Sequence, residues 1–295
     1  MTIATGKPFL KFLILSLWVV CAVSVYAQNE IATPIEKTSS QDWTPLLDRK
    51  LSKWEPFTGI PEASVQKLPR SYKKRLKGDK RPPIGLGDPM GIYTLEKDNN
   101  GDWVLAISGE VYAGLTSKKE YANYHLTLLF KWGEQKYEPR LERKRDSGIL
   151  YHCYGEHGAF WEVWKACLEY QIQEEDFGDL YVLGGTKATV KIDDNKQWDP
   201  MSTKTHRTHT KNALDAELPH GSWNRIDVYV VGDSAIHVTN GKVVLALTDA
   251  KKSTGERLAS GQIQLQSEGA ECYMKDINIR PISAFPEAIR QAANL

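Results

Sequence analysis

Seventeen residues, Arg145–Trp161 (RDSGILYHCYGEHGAFW), hold a carboxyl at Asp146, a phenol at Tyr151, imidazoles at His152 and His157, a second carboxyl at Glu156 and an indole at Trp161. A little further on, LEYQIQE adds Glu169 and Gln171. Three chemistries suit these types. Imidazole and carboxyl groups together can exchange protons near neutral pH. Histidine with carboxylate is also a donor set for Zn, Mn or Co rather than Ca. Aromatic faces beside carboxylates and amides suit a sugar, whose rings stack and whose hydroxyls need polar partners.

Two narrower motifs fail on spacing. HCYGEH sets His152 and His157 five residues apart where a strand meets a loop, which lacks the helical H-E-x-x-H geometry of a zinc protease. EEDFGD places Glu174, Asp176 and Asp179 roughly as sandwich endoglucanases place E-x-D-x-x-E. Glu175 stands where a core hydrophobe belongs and Gly178 breaks the strand, which argues against a retaining carboxylate pair.

The elements that must position these groups read as strands. Strand side chains alternate between faces. In DSGILYHC, Ser147, Ile149 and Tyr151 share one side, and Asp146, Gly148, Leu150 and His152 share the other. In LEYQIQE, Tyr170 and Ile172 fall on one side, with Glu169, Gln171 and Gln173 opposite. If both polar faces line one sheet, Asp146, His152, Glu169 and Gln171 converge. Such alternation also marks any sheet with one wet face. The aromatic, acidic loop beside it tips the reading toward a site.

Further strand patterns occupy most of the chain after residue 100, and Asn240-Gly241 between two of them is a strong hairpin signal. Helical periodicity is nearly absent apart from the tail SAFPEAIRQAANL, where Pro286 suits a helix start. Many short strands without a βαβ rhythm predict an all-β, two-sheet sandwich. No repeat or interdomain linker appears after residue 40, so residues 42–283 read as a single domain with long loops, followed by a short helix or tail over 284–295. Residues 66–83 form a basic, proline-ended loop.

Residues 1–27 read as a secretory signal peptide: Lys7 and Lys11, then an apolar run, then Val25 and Ala27 at the −3 and −1 positions. Val20 before Cys21 disfavours a lipoprotein anchor. Residues 28–41 are a polar, flexible segment, and the expected location is periplasmic or secreted, with no membrane span after cleavage. An intact mass that begins at Gln28 in exported protein is the expected result; retention of residues 1–27 there overturns the assignment. Cleavage removes two lysines from the 38 basic residues, leaving 36 against 37 acidic residues, a formal charge of −1. That balance gives no footprint for nucleic acid. Cys153, Cys167 and Cys272 remain, an odd number. One pair can form, Cys153 with Cys167 before the others; three buried thiols is an equal alternative.

The segment 145–179 resembles the 3-keto-disaccharide hydrolase domain family. Residues 109–134, 217–244 and 261–282 agree with it in order and spacing, so that the likeness spans about 42–283. Ser222 departs from a common Glu. The resemblance implies a concanavalin A-like jelly roll with a concave sugar-facing sheet, and cleavage of 3-keto-glycosides by hydrolysis or by elimination followed by hydration. A C3 ketone acidifies the C2 proton, so the reaction needs a base, an acid at the leaving oxygen, and an electrophile at the ketone. His152, Glu169 and Glu156 are the candidate catalytic groups; Asp146, Gln171, Tyr151, His157 and Trp161 are candidates for substrate contact. A divalent metal on His152 and Glu169 is one way to polarise the ketone. A non-catalytic carbohydrate-binding jelly roll is the rival reading, and a laminarinase-like glycosidase is disfavoured by the missing carboxylate pair.

Overall fold

A computed structural model describes residues 1–2, 43–76 and 81–295. The expected signal peptide and the segment 28–41 lie outside the described residues, as do residues 77–80 of the basic loop. The architecture below belongs to the compact unit Ala32–Leu295.

In chain order the first strands are β1 (Thr44–Pro45), β2 (Trp54–Thr58), β3 (Gly85–Leu86), β4 (Tyr93–Lys97), β5 (Trp103–Ile107) and β6 (Ala113–Ser117). The long β7 (Tyr124–Lys136) precedes β8 (Asp146–Tyr154), β9 (Ala166–Gln173), β10 (Leu180–Leu183), β11 (Lys187–Lys191) and β12 (Thr205–His206). The last are β13 (Asn224–Val231), β14 (Ser234–Thr239), β15 (Lys242–Lys251), β16 (Gln262–Ser267) and β17 (Ala270–Pro281). Two short helices, α1 (Arg70–Lys73) and α2 (Glu287–Ala293), complete the described elements, with Pro286 at the head of α2. Neither is long and apolar enough to cross a membrane.

The strands form two antiparallel sheets, the sandwich that the sequence pattern predicts and the jelly roll that the family resemblance implies. One runs β12-β11-β15-β14-β13-β7-β17-β5-β4, with β1 on β17; the other runs β10-β9-β8-β16-β6-β2-β3. Asn240 and Gly241 both take positive φ, 49° and 79°, in the tight β14–β15 hairpin that the Asn-Gly signal predicts.

Alternation packs the core. Ile149 and Tyr151 of β8, Tyr170 and Ile172 of β9, and Leu265 of β16 meet Phe130 and Trp132 of β7 and Val228 of β13 between the sheets. Polar atoms trapped there are paired. His237 donates from Nδ1 to the Gly178 carbonyl (2.8 Å), which leaves Nε2 to accept from the Tyr151 hydroxyl (2.8 Å). Tyr151 therefore belongs to the core, a correction to its reading as a substrate contact.

The β8 alternation fails at one place, and the failure decides the site. Register with β9 slips between Tyr151 and Tyr154, and His152 adopts φ 52°. This bulge turns the imidazole toward the opposite sheet. His152 Nε2–H donates to the Gly232 carbonyl in the β13–β14 turn (3.2 Å), and the ring meets Tyr124 of β7 edge-on. Gly261 makes room: a Cβ there would come within 2.5 Å of the His152 carbonyl carbon. Cys153 takes the vacated side and packs with Leu150, Cys167 and Trp164. Cys153, Cys167 and Cys272 are all free and buried.

His152 is thus a buried neutral side chain, its pKa lowered to about 4 by burial. Below pH 6.5 the unfolded chain takes up a proton that the folded chain refuses, so stability falls as pH drops from 6.5 toward 4, by about 3 kcal/mol for such a group. His152→Asn, with a residue that tolerates left-handed φ, is expected to flatten this acid limb in thermal melts at pH 7.5 and 5. Turnover per folded molecule should stay at the wild-type value. Lost turnover with an unchanged melt would return His152 to the chemistry.

Candidate functional site

The face of the seven-stranded sheet turned away from the core gathers the polar set. Directly opposed strand residues share a face. Glu169 lies between Leu150 and Tyr181, Gln171 opposes Gly148, and Asp146 opposes Gln173. On β16, Gln264 opposes Leu150 on one side and Thr116 on the other. Gly148 is the floor: a Cβ there would come within 2.3 Å of both Gln266 Oε1 and Glu169 Oε1. Only glycine lets these two chains lean together over β8.

Three carboxyl groups meet here, on Asp146, Glu169 and Glu268, each no more than 5% exposed. One guanidinium serves them. Arg140, from the β7–β8 connection, donates from Nη2 to Glu268 Oε1 (2.7 Å) and also contacts the Asp146 carboxyl. Gln171 Nε2–H donates to Asp146 Oδ1 (3.0 Å). The Asp146 and Glu268 carboxyls lie side by side on Arg140, and the Glu169 and Gln266 side chains lean together over Gly148. One positive charge cannot hold three carboxylates out of water, so protons remain on the cluster at neutral pH. Burial, reinforced by the Glu268 charge, pushes Asp146 and Glu169 well above the usual carboxylate range, with Arg140 opposing in both. Burial raises Glu268 to about 7 against the pull of Arg140.

Around the cluster stand buried polar atoms with no protein partner: the acceptors Gln171 Oε1 and Gln266 Oε1, and the donors Arg140 Nε and Trp164 Nε1. Such groups are rare in folded proteins. This face therefore holds more polar groups than the protein itself satisfies.

The loop 155–165 crosses the same face. Trp164 stacks on Tyr112 (5.6 Å), and Lys165 N–H approaches Gln264 Oε1 (3.4 Å). His157 stacks on Phe57 of β2 (5.2 Å) and pairs with Glu55 (3.4 Å). β2 is four strand spacings from β9, about 19 Å, so His157 is remote from Glu169. Glu156 is exposed on this loop near His157 and does not fold back over His152. Trp161 is 66% exposed and stacks on Phe160 (4.9 Å). It and Glu162 take successive positive φ values of 51° and 56°.

The structure therefore unites Asp146, Glu169 and Gln171 and separates them from His152 and Glu156. The proposed pairing of His152 and Glu169 on a metal fails, because the bulge sends their side chains to opposite sides of the sheet. Among the described residues no group of three or more His, Cys, Asp and Glu is arranged to hold a metal ion. Arg140 already occupies the space between two of the carboxyls. Sequence reasoning missed Arg140, Gln266, Glu268 and Tyr112. A cavity of about 530 Å³ lies elsewhere, beside β1 and the end of β17. Glu120 is the only acid among its lining residues, and it contains none of this chemistry.

A family model described as a 3-keto-alpha-glucoside-1,2-lyase-like domain matches residues 42–280. Two solved structures from Parabacteroides distasonis ATCC 8503, provisionally described as glycosyl hydrolases, are similar to this chain. One has 17% identity and a TM-score of 0.48, covering 82% of this chain and 94% of that one. The other has 15% identity and a TM-score of 0.46, covering 81% and 99%. A Bacillus licheniformis beta-glucanase has 8% identity and a TM-score of 0.40, covering 81% and 97%. No curated protein matches the chain.

Proposed function

The chain belongs to the 3-keto-alpha-glucoside-1,2-lyase-like domain family, and from that premise we propose that it cleaves 3-keto-glycosides by elimination across C1 and C2, followed by addition of water. The observation that carries this reading is the set of three buried carboxyls, two of them paired with the one guanidinium of Arg140.

Asp146 and Glu268 share a proton beside Arg140, and the ionised member takes the C2 proton of the substrate. Electrons of the C2–H bond form the C1=C2 double bond, and the C1–O bond breaks. Glu169, held protonated by burial, gives its proton to the departing oxygen. Arg140 and the neighbouring amides face the negative charge that develops at the C3 oxygen. Water then adds its oxygen to C1 and a proton returns to C2. No oxidant or reductant is needed. A group raised to about 7, as Glu268 is, sits where proton transfer is efficient near neutral pH.

The test is release of the leaving group from a 3-keto-glucoside and from the matching ordinary glucoside, with and without EDTA. Release from the keto compound alone, unchanged by chelation, is expected. Binding without release supports the carbohydrate-binding reading instead, and release from both substrates points to an ordinary glycosidase.

Trp161 is the proposed outer step of the site, where the leaving sugar stacks. Its exposure, its stack on Phe160 and its approach to Trp164 (5.7 Å) support this. Ring stacking of about 0.5–1.5 kcal/mol predicts a roughly 2- to 12-fold rise in KM for Trp161→Ala on a disaccharide, with no change in the melt. An unchanged KM sinks this assignment.

A further inference from the structure

β10 is the edge strand next to β9, and Tyr181 opposes Glu169 across that pair. Opposed side chains on one face stand about 5 Å apart at Cβ, so the Tyr181 ring is the immediate neighbour of the Glu169 carboxyl. It is half-buried and packs at the margin of the small apolar cluster around Leu150 and Leu183. Burial, then the charges of Asp146, Asp179, Glu169 and Asp176, push its phenol up to about 12, which places the ring between two groups of acids. Among the described residues no hydrogen bond to its hydroxyl is found.

The far side of the ring is held. His209 stacks on Tyr181 with ring centroids 3.9 Å apart and planes tilted by 39°. Its Nδ1 lies 2.9 Å from the Leu180 carbonyl. A carbonyl can only accept, so Nδ1 carries the hydrogen and Nε2 holds the lone pair of the neutral ring. Nε2 faces Asp179 Oδ2 at 3.8 Å. The other Asp179 oxygen accepts the Asn212 N–H (2.7 Å), and Thr210 and Leu180 exchange both backbone hydrogen bonds (3.0 and 2.9 Å). The imidazole is thus anchored through Nδ1, with Asp179 beside its other nitrogen, and its side chain is 38% exposed. His209 holds the half-buried Tyr181 ring in place beside Glu169.

We propose that Tyr181 is the ring on which the sugar bearing the ketone packs, beside Glu169, and that His209 is the residue that positions it. The ligand class is a pyranose with its C1 oxygen toward Glu169. This rests on the functional reading above and adds a specificity-determining residue to it. Neither residue donates or accepts a proton in the reaction. Their loss acts on binding.

The experiment measures KM and kcat on a 3-keto-glucoside, with a thermal melt beside each protein, for wild type, Tyr181→Ala, Tyr181→Phe, His209→Ala and His209→Gln. Tyr181→Ala is expected to raise KM by about tenfold, the scale of a lost stacking contact, with kcat within about twofold. Tyr181→Phe keeps the ring and stays near wild type. His209→Ala gives an intermediate KM, and His209→Gln, whose amide can still donate to Leu180, recovers much of it. Wild-type KM in folded Tyr181→Ala overturns the stacking assignment, and wild-type KM in folded His209→Ala overturns the positioning role. Loss of kcat in Tyr181→Phe also overturns the proposal, because the phenol would then be doing chemistry. If wild type fails to turn over the keto compound, the functional reading fails first and this inference goes with it.

Discussion

Glu169→Gln protein is expected to turn over a 3-keto-disaccharide about 10²–10⁴ times more slowly than wild type, the usual effect of losing a catalytic acid. The defect should shrink when the leaving group is a nitrophenolate, which departs without help from an acid. That contrast separates a lost proton donor from a damaged binding site. The fold should not suffer. Glu169 has a folded pKa well above its ordinary 4.5 because of burial and the Glu268 charge. A carboxyl with a raised folded pKa contributes its stability fully below the unfolded pKa, and that contribution is lost as pH rises through the folded value. Glutamine carries no such liability and keeps a polar atom for Gln266. The variant should therefore melt at or above the wild-type temperature, with the gap widening as pH rises above about 4.5. Wild-type turnover on both substrates would remove Glu169 from the mechanism.

Arg140→Met is expected to be the most destabilising change at the site. It strips the guanidinium from two buried carboxyls, and an uncompensated buried charge costs about 3–5 kcal/mol. The protein can evade part of that by binding protons. Its stability should thus be nearest wild type around pH 5 and fall further behind toward pH 8, since the carboxyl pKa values rise once Arg140 is gone. Adding Glu268→Gln removes one of the orphaned charges and should recover a substantial part of the loss. Additive loss in the double variant would show that Arg140 and Glu268 are not coupled. Activity should be absent in the single variant even where it is folded, because the guanidinium also faces the developing oxyanion.

How much of this could be read beforehand differs by element. β9 is regular, so strict alternation in LEYQIQE placed Tyr170 and Ile172 inward and Glu169 and Gln171 outward, as found. The same rule applied to GQIQLQSEGAE would have set Gln264, Gln266 and Glu268 on one face, so that signal was present and unused. β8 obeys the rule as far as Tyr151 and then breaks it at His152. A bulge requires only one extra residue and a left-handed φ, here at His152 beside Gly261. Nothing local distinguishes that histidine from one in register. Arg140 reaches the cluster from a connection with no periodicity at all. Its partners are set by tertiary packing, which single-strand patterns do not carry. The loop 155–165 drew attention for its aromatic and acidic content, yet where each side chain went depended on how the loop crossed β16 and β6 to reach Phe57.

The clasp that holds His209 also bears on how the protein behaves in concentrated solution. An edge strand with unpaired N–H and C=O groups is a template on which another chain can add, the first step toward fibrous aggregates. β10 is the last strand of its sheet and only four residues long. Thr210 occupies both backbone groups of Leu180 (2.9 and 3.0 Å), so the strand beside the site offers little for a second copy to join. Loosening residues 209–212 would uncover that edge, and self-association would then accompany any loss of sugar binding.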